Sequence, residues 1–233
     1  ANLDNTRFPN SSTNTPTQYA KCYLSASNAG EFAVNDWVII YSNKTVTVST
    51  TDGVPGQYGI IRKVIGQNTN TDGGGPGIVV NPIWWPALTS DGAAVYKVNI
   101  ISGGILTGGT FTDHSSILNI PNKPPILYFA YVENQACLNQ IADSIGGKFQ
   151  VYDHCIKPKA LFQKISNLSD DEVGGLFGYG CAFGGTTLQG LFKGATVTKV
   201  RHAFTTDRPF PGDVTDTIGG PEQCWIVDCH ASE

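Results

Sequence analysis

The sequence predicts a mainly β protein: a β-sandwich or barrel in one or two β subdomains, with one or two short helices and an extended N-terminal arm. Three observations predict it. Short runs rich in Val, Ile, Tyr, Phe and Thr recur, separated by turn signals built on Gly, Pro, Asn and Asp. No long helical period alternates with them, which disfavours a doubly wound α/β fold. Of 233 residues, 40% are hydrophobic, enough for a core, and only 15% are charged, against roughly 25% in average soluble chains.

Residues 1–20 are polar, with Arg7 the single basic side chain. They read as an arm that orders only against a neighbour, and one cation is too few to neutralise a nucleic acid. A β-rich domain is expected over 21–105. In it Trp37–Tyr41 and Lys44–Ser49 read as two strands of a hairpin turning at Ser42-Asn43. Asp52-Gly53 and Pro55-Gly56 read as turns, Tyr58–Ile65 and Ile78–Val80 as strands, and Asn68–Gly77, with three successive glycines, as a loop. The next strand expected is Ala94–Ile101. The Gly-, Thr-, Ser-, Asn- and Pro-rich stretch 106–125 reads as a linker or long loop.

A second β-rich domain is expected over 126–233, with strands at Ile126–Val132, Phe149–Tyr152, Thr196–Phe204 and Cys224–Asp228. Within it Leu138, Ile141, Ala142 and Ile145 have helical spacing, stopped by Gly146-Gly147. Ser169-Asp170-Asp171-Glu172 fits a capping box for a second short helix. No internal repeat stands out.

Several functions lose ground on composition alone. A net charge of −4 and a pI near 5.5 disfavour direct nucleic-acid binding. The longest apolar runs are too short to span a bilayer as a helix, so no membrane partner is expected. An opening Ala without an apolar segment suits a cytosolic product that lost its initiator Met, ahead of a secreted chain with its signal removed. Six cysteines without a C-x-x-C read mostly as small buried hydrophobes.

The sequence points to no catalytic, cofactor-binding or metal-binding residues, and no cofactor. Asp113-His114 and Asp153-His154 each join an acid to an imidazole, but neighbours on extended chain face opposite ways. His154-Cys155 and Cys229-His230 offer zinc ligands at spacings that suit no knuckle. Neither a G-x-S-x-G elbow nor a phosphate loop occurs. Of Trp84-Trp85, one is expected in the core and one over a loop or subunit contact.

Four stretches resemble a group of tailed-bacteriophage virion proteins, the capsid decoration and minor head proteins. They are the opening Ala1-Asn2-Leu3-Asp4-Asn5, then Val34-Asn35-Asp36-Trp37-Val38 against V-G-D-x-V. Tyr58 to Gly66 follows against Y-G-x-x-x-x-V-x-G, and the close runs Trp225 to His230. The chain departs at Arg7-Phe8-Pro9, where the group has Gly-Phe-x-Pro, and at Asn35, where it has Gly. The resemblance implies a non-enzymatic structural protein of the virion, assembled in the host cytoplasm. Its partners would be the major capsid protein or other virion proteins, and it would form a homo-oligomer. Two alternatives stand beside it: a secreted adhesin or pilin-like module, and a β-fold polysaccharide hydrolase.

Overall fold

The structure, a computed structural model, describes residues 2–4, 20–23, 30–47, 55–68, 77–81, 93–112, 125–168, 178–206 and 221–232. The chain divides into two compact units, Ala1–Asn99 and Ile100–Glu233.

The first unit is a six-stranded antiparallel sheet. Its strands are β1 (Asn2–Asp4), β2 (Ala20–Tyr23), β3 (Trp37–Thr47), β4 (Pro55–Asn68), β5 (Gly77–Asn81) and β6 (Ala93–Val98), in the order β1-β2-β5-β4-β3-β6. Val38, Ile40, Ile60, Val64, Ile78 and Val80 share one buried cluster with Phe32, as the two-residue period of strands requires. The expected hairpin within 37–49 does not form. Trp37–Thr47 is one strand paired with β4, and the register shifts between Tyr41 and Thr45. Ser42-Asn43 is absorbed as a bulge-like irregularity, and Pro55-Gly56 opens β4 instead of turning. Asn35 holds φ 78, a conformation that favours glycine and that Asn tolerates. Asp36 accepts from the Ala33 N–H at 2.7 Å and meets Lys97 Nζ at 2.8 Å; those bonds, Lys97 first, hold its carboxyl below the usual range.

The second unit is a stack of parallel coils. The first described coil holds β7 (Ile101–Ser102), β8 (Ile105–Thr107) and β9 (Thr110–Thr112); the next holds β10 (Leu127–Ala130), β11 (Val132–Glu133), β12 (Ala136–Leu138) and β13 (Ile141–Asp143). Then come β14 (Lys148–Asp153), β15 (Lys159–Leu161) and β16 (Lys164–Ser166), followed by β17 (Tyr179–Gly184), β18 (Leu191–Lys193) and β19 (Thr196–Thr198). The last described coil holds β20 (His202–Thr205), β21 (Trp225–Val227) and β22 (His230–Ser232). Each strand pairs in parallel with its equivalent in the next coil, giving sheets β10-β14-β17-β20, β8-β12-β15-β18-β21 and β9-β13-β16-β19-β22. This is a parallel β-helix.

Corners make such short strands possible. At Asn134, Lys157, Gln189 and Gln223, and again at Asn139, Phe162, Gly194 and Asp228, the backbone enters the left-handed region. The corner N–H groups continue the ladder: Asn139 donates to Leu161 O at 3.0 Å and Phe162 to Lys193 O at 2.8 Å. Such bonds satisfy corner N–H groups that a strand ladder would otherwise lose, which is what a tight solenoid needs.

Inward residues stack in columns. Cys137, Ala160 and Phe192 form one, and Ala142, Ile165 and Val197 another; all are essentially unexposed. Phe129 stacks on Tyr152 at 5.3 Å between ring centres, Tyr152 meets Phe183 at 5.7 Å and Phe183 meets Phe204 at 5.1 Å. Burying each such ring stabilises by roughly 1.5–3 kcal/mol.

The mainly β expectation holds, and the second unit's parallel coil takes the place of a sandwich or barrel. The expected helix over Cys137–Ile145 is instead β12, a corner at Asn139-Gln140, and β13. The helical spacing joins residues that face different ways: Leu138 and Ile141 flank the corner on outward positions, while Ala142 and Ile145 are buried. The expected capping box at Ser169 lies outside the described residues, as do Trp84-Trp85 and Asp113-His114. Of the expected arm, Asn2–Asp4 pair with β2; residues 5–19 lie outside the described set. Of the expected linker, residues 106–112 belong to β8, β9 and the bend between them.

Candidate functional surfaces of the parallel coil

The corner after β14 gathers the most chemistry. Asp153 ends the strand and His154 turns it at φ 50, so the two side chains converge: His154 Nε2 lies 3.6 Å from Asp153 Oδ1. Sequence reasoning placed them on opposite faces; the left-handed corner removes that premise. Tyr128 Oη donates to Asp153 Oδ2 at 2.8 Å. The Thr186 N–H donates to His154 Nδ1 at 3.2 Å, with Thr186 Oγ1 2.8 Å from the same atom. An Nδ1 that accepts a backbone N–H leaves the neutral ring's proton on Nε2, towards Asp153. Tyr131, the equivalent corner residue one coil earlier, stacks on the His154 ring at 5.0 Å and 8°. The third corner in this column is Gly185, at φ 53; a Cβ there would strike Asp153 Oδ1 and approach His154 Nε2 to 2.8 Å.

Asp153 and His154 are each 1% exposed. A substrate cannot touch an acid or imidazole so enclosed, so this cluster packs and orients a corner. Its neighbour Cys155 points its thiol at the carbonyls of Phe129 and Asp153, and burial pushes that thiol up to about 12. Cys137 and Cys181 are also buried and raised by burial, while Cys224 and Cys229 lie partly buried on the last coil.

The other described carboxylates of this unit stand apart. Asp143 accepts from Ser166 Oγ at 2.6 Å, Asn167 Nδ2 at 2.7 Å and Ser144 Oγ at 3.2 Å, which fastens a corner. Glu133 and Glu222 occupy equivalent positions at the two ends of the bridge column Glu133-Ile156-Leu188-Glu222. Three strand spacings put them about 14 Å apart, beyond the separation of a hydrolytic carboxylate pair. Asp228 lies 3.8 Å from Lys193 Nζ.

The outward faces differ in character. Over β8, β12, β15, β18 and β21 the outward positions include Ile105, Ala136, Leu138, Leu161, Leu191, Trp225 and Val227, an apolar strip interrupted by Lys159 and Lys193. Over β9, β13, β16, β19 and β22 they are mainly Thr110, Thr112, Asp143, Lys164, Ser166, Thr196, Thr198, His230 and Ser232. The corner between these faces carries Phe162, half exposed.

No protein-family model matches the chain, and no curated protein matches it in sequence. Two tailspike structures align with the chain. The tailspike protein gp49 from Pseudomonas phage LKA1 aligns with a TM-score of 0.61 at 18% identity, over 91% of this chain and 31% of that one. The Gp54 tailspike of Acinetobacter baumannii bacteriophage AP22, solved with A. baumannii capsular saccharide, aligns at 0.42 and 13% identity, over 93% and 43%. The second likeness is too loose to bear on the fold. The chain has the fold found in the first tailspike and spans about a third of that protein's length.

Proposed function

We propose that the chain is part of a tailed-phage virion, a tailspike-type protein whose β-helix engages a surface polysaccharide of the host bacterium. The observation that carries this reading is the parallel β-helix, supported by its likeness to the gp49 tailspike. The surface chemistry fits. A solenoid repeats its outward positions every ~4.8 Å, which suits a long repeating polymer, and the face over β9–β22 offers rows of hydroxyls and charges. The likeness favours the tail over the capsid shell. The reading is of saccharide binding, and cleavage is a separate outcome of the test. Copies of the chain would pack along the apolar strip.

The test is binding of the full chain to immobilised capsular and O-antigen polysaccharides from a panel of Gram-negative bacteria, with reducing ends assayed in parallel. Retention by at least one polysaccharide is expected. Retention by none would overturn the reading, and release of reducing ends would replace binding with cleavage.

A further inference from the structure

We propose that the Phe162 corner is a subsite for an acidic polysaccharide, with the aromatic ring as its platform and Lys164 and Lys193 as partners for sugar carboxylates; this rests on the saccharide-binding reading above. Phe162 is the αL residue between β15 and β16, at φ 55. Its N–H donates to Lys193 O at 2.8 Å, so the backbone under the ring is held by the ladder. The ring lies against the next coil at Gly194. A Cβ at Gly194 would come within 2.6 Å of Phe162 Cδ1 and 2.8 Å of Cε1. Glycine therefore leaves the space the ring occupies.

Among the described corners the same arrangement recurs where His154 lies over Gly185, and the two differ in exposure. His154 is 1% exposed, so there the ring fills a corner; Phe162 is 52% exposed, so one side of a positioned ring faces outward. The coil does not need an aromatic at this position, because Asn139, Gly194 and Asp228 occupy it in the other coils.

The flanking positions mix cationic, hydroxylated and apolar side chains. Lys164, Thr196 and His230 line the β16-β19-β22 side, and Leu161, Lys193 and Val227 the β15-β18-β21 side. Lys193 Nζ is 3.8 Å from Asp228 Oδ2, with the two side chains 42% and 73% exposed. So open a pair is weak, and Lys193 can exchange it for a ligand carboxylate. A ring that takes the apolar face of a sugar, between two lysines, favours an acidic chain over a neutral one.

The experiment is titration of the full chain with polygalacturonate, alginate, hyaluronate and polysialic acid, and with neutral dextran and pullulan, at low and moderate salt. At least one acidic polymer should bind, more weakly as salt rises, and neither neutral one should. Phe162→Ala should weaken that binding about tenfold, the size of one aromatic contact, and Phe162→Leu should not restore it. Lys164→Gln combined with Lys193→Gln should weaken it and flatten its salt dependence. Circular dichroism and the sedimentation coefficient should match wild type in every variant. Undiminished binding by Phe162→Ala overturns the subsite and leaves the saccharide reading standing. So does a preference for the neutral polymers. Binding to none of the acidic polymers overturns the subsite, while the capsular and O-antigen panel decides the saccharide reading. A Phe162→Ala variant that sediments as a smaller species shows the ring covered by a second copy, and overturns the subsite too.

Discussion

Replacing Gly185 by Ala tests how tightly the enclosed corner is built. Gly185 combines a left-handed backbone (φ 53) with a Cβ position already taken by Asp153 Oδ1 and the His154 ring. The backbone alone is a modest obstacle, about 1–2 kcal/mol, and residues as bulky as Tyr131, His154 and Phe162 adopt it at other corners. The collision adds about 1–3 kcal/mol of overpacking. Pushing Asp153 aside also strains the 2.8 Å bond from Tyr128 Oη. A total near 2–4 kcal/mol follows from these overlapping costs. Gly108 supplies the control: its φ is +69 and nothing lies within 4 Å of its Cβ position. Gly108→Ala should therefore show the backbone cost alone. In urea unfolding followed by the β-helix signal, Gly185→Ala should lower the midpoint by about 1–2 M and Gly108→Ala by about half a molar. Equal shifts for the two would mean that Asp153 and His154 yield freely, and the reasoning about an enclosed, positioned pair would fail.

Two further outcomes follow from the interior. Gln163 Nε2 lies 2.9 Å from Cys137 O, Gln140 Oε1 and Leu161 O, so Gln163→Leu should destabilise by about 1–3 kcal/mol. Gln150→Leu, which removes a buried amide whose Oε1 accepts no hydrogen bond, should cost clearly less in the same urea assay. The thiols predict a pH dependence. Burial raises Cys155 to about 12 and Cys224 to about 11, from the ordinary thiol value of 9.0. The unfolded chain therefore loses these protons first as pH rises. Their contribution is intact below about pH 9 and is lost above it, by up to about 1.4 kcal/mol per pH unit for each thiol, until the folded groups titrate. Urea midpoints measured from pH 8 to 11 should fall for the wild type and fall less for Cys155→Ser.

The strands were legible where they are long. Tyr58–Ile65, Ile78–Val80 and Phe149–Tyr152 all lie within observed strands, because runs of β-branched and aromatic residues there exceed any competing period. The coil was not legible as a repeat. Cys137, Ala160, Phe192 and Ile226 are one column, but they lie 23, 32 and 34 positions apart (137 to 160, 160 to 192, 192 to 226). Unequal excursions between the strands erase a fixed period. The trace that survives is local: Cys137-Leu138-Asn139-Gln140-Ile141-Ala142 and Ala160-Leu161-Phe162-Gln163-Lys164-Ile165 share their inward positions and their corner. Aligning those two segments would have exposed the corner column and singled out Phe162 as its aromatic member. The Asp153-His154 contact was hidden for another reason: two-residue alternation holds along a strand and fails at a left-handed bend.

A solenoid separates what stabilises it from what it presents. An inward side chain is held by equivalent residues in the coils on either side, so its loss is felt through three coils. An outward one touches its neighbours along one surface only. Phe162 and Phe192 are the pair that measures this. Phe192 is 0% exposed and stacks with Phe204 at 5.8 Å, so Phe192→Ala should cost about 3–5 kcal/mol. Phe162, 52% exposed, has about half of that burial, so Phe162→Ala should cost about 0.8–1.5 kcal/mol. Urea unfolding of the two variants side by side decides it. If Phe162→Ala proves as damaging as Phe192→Ala, the ring belongs to the packing of the coil, and its exposed face has no claim to a ligand.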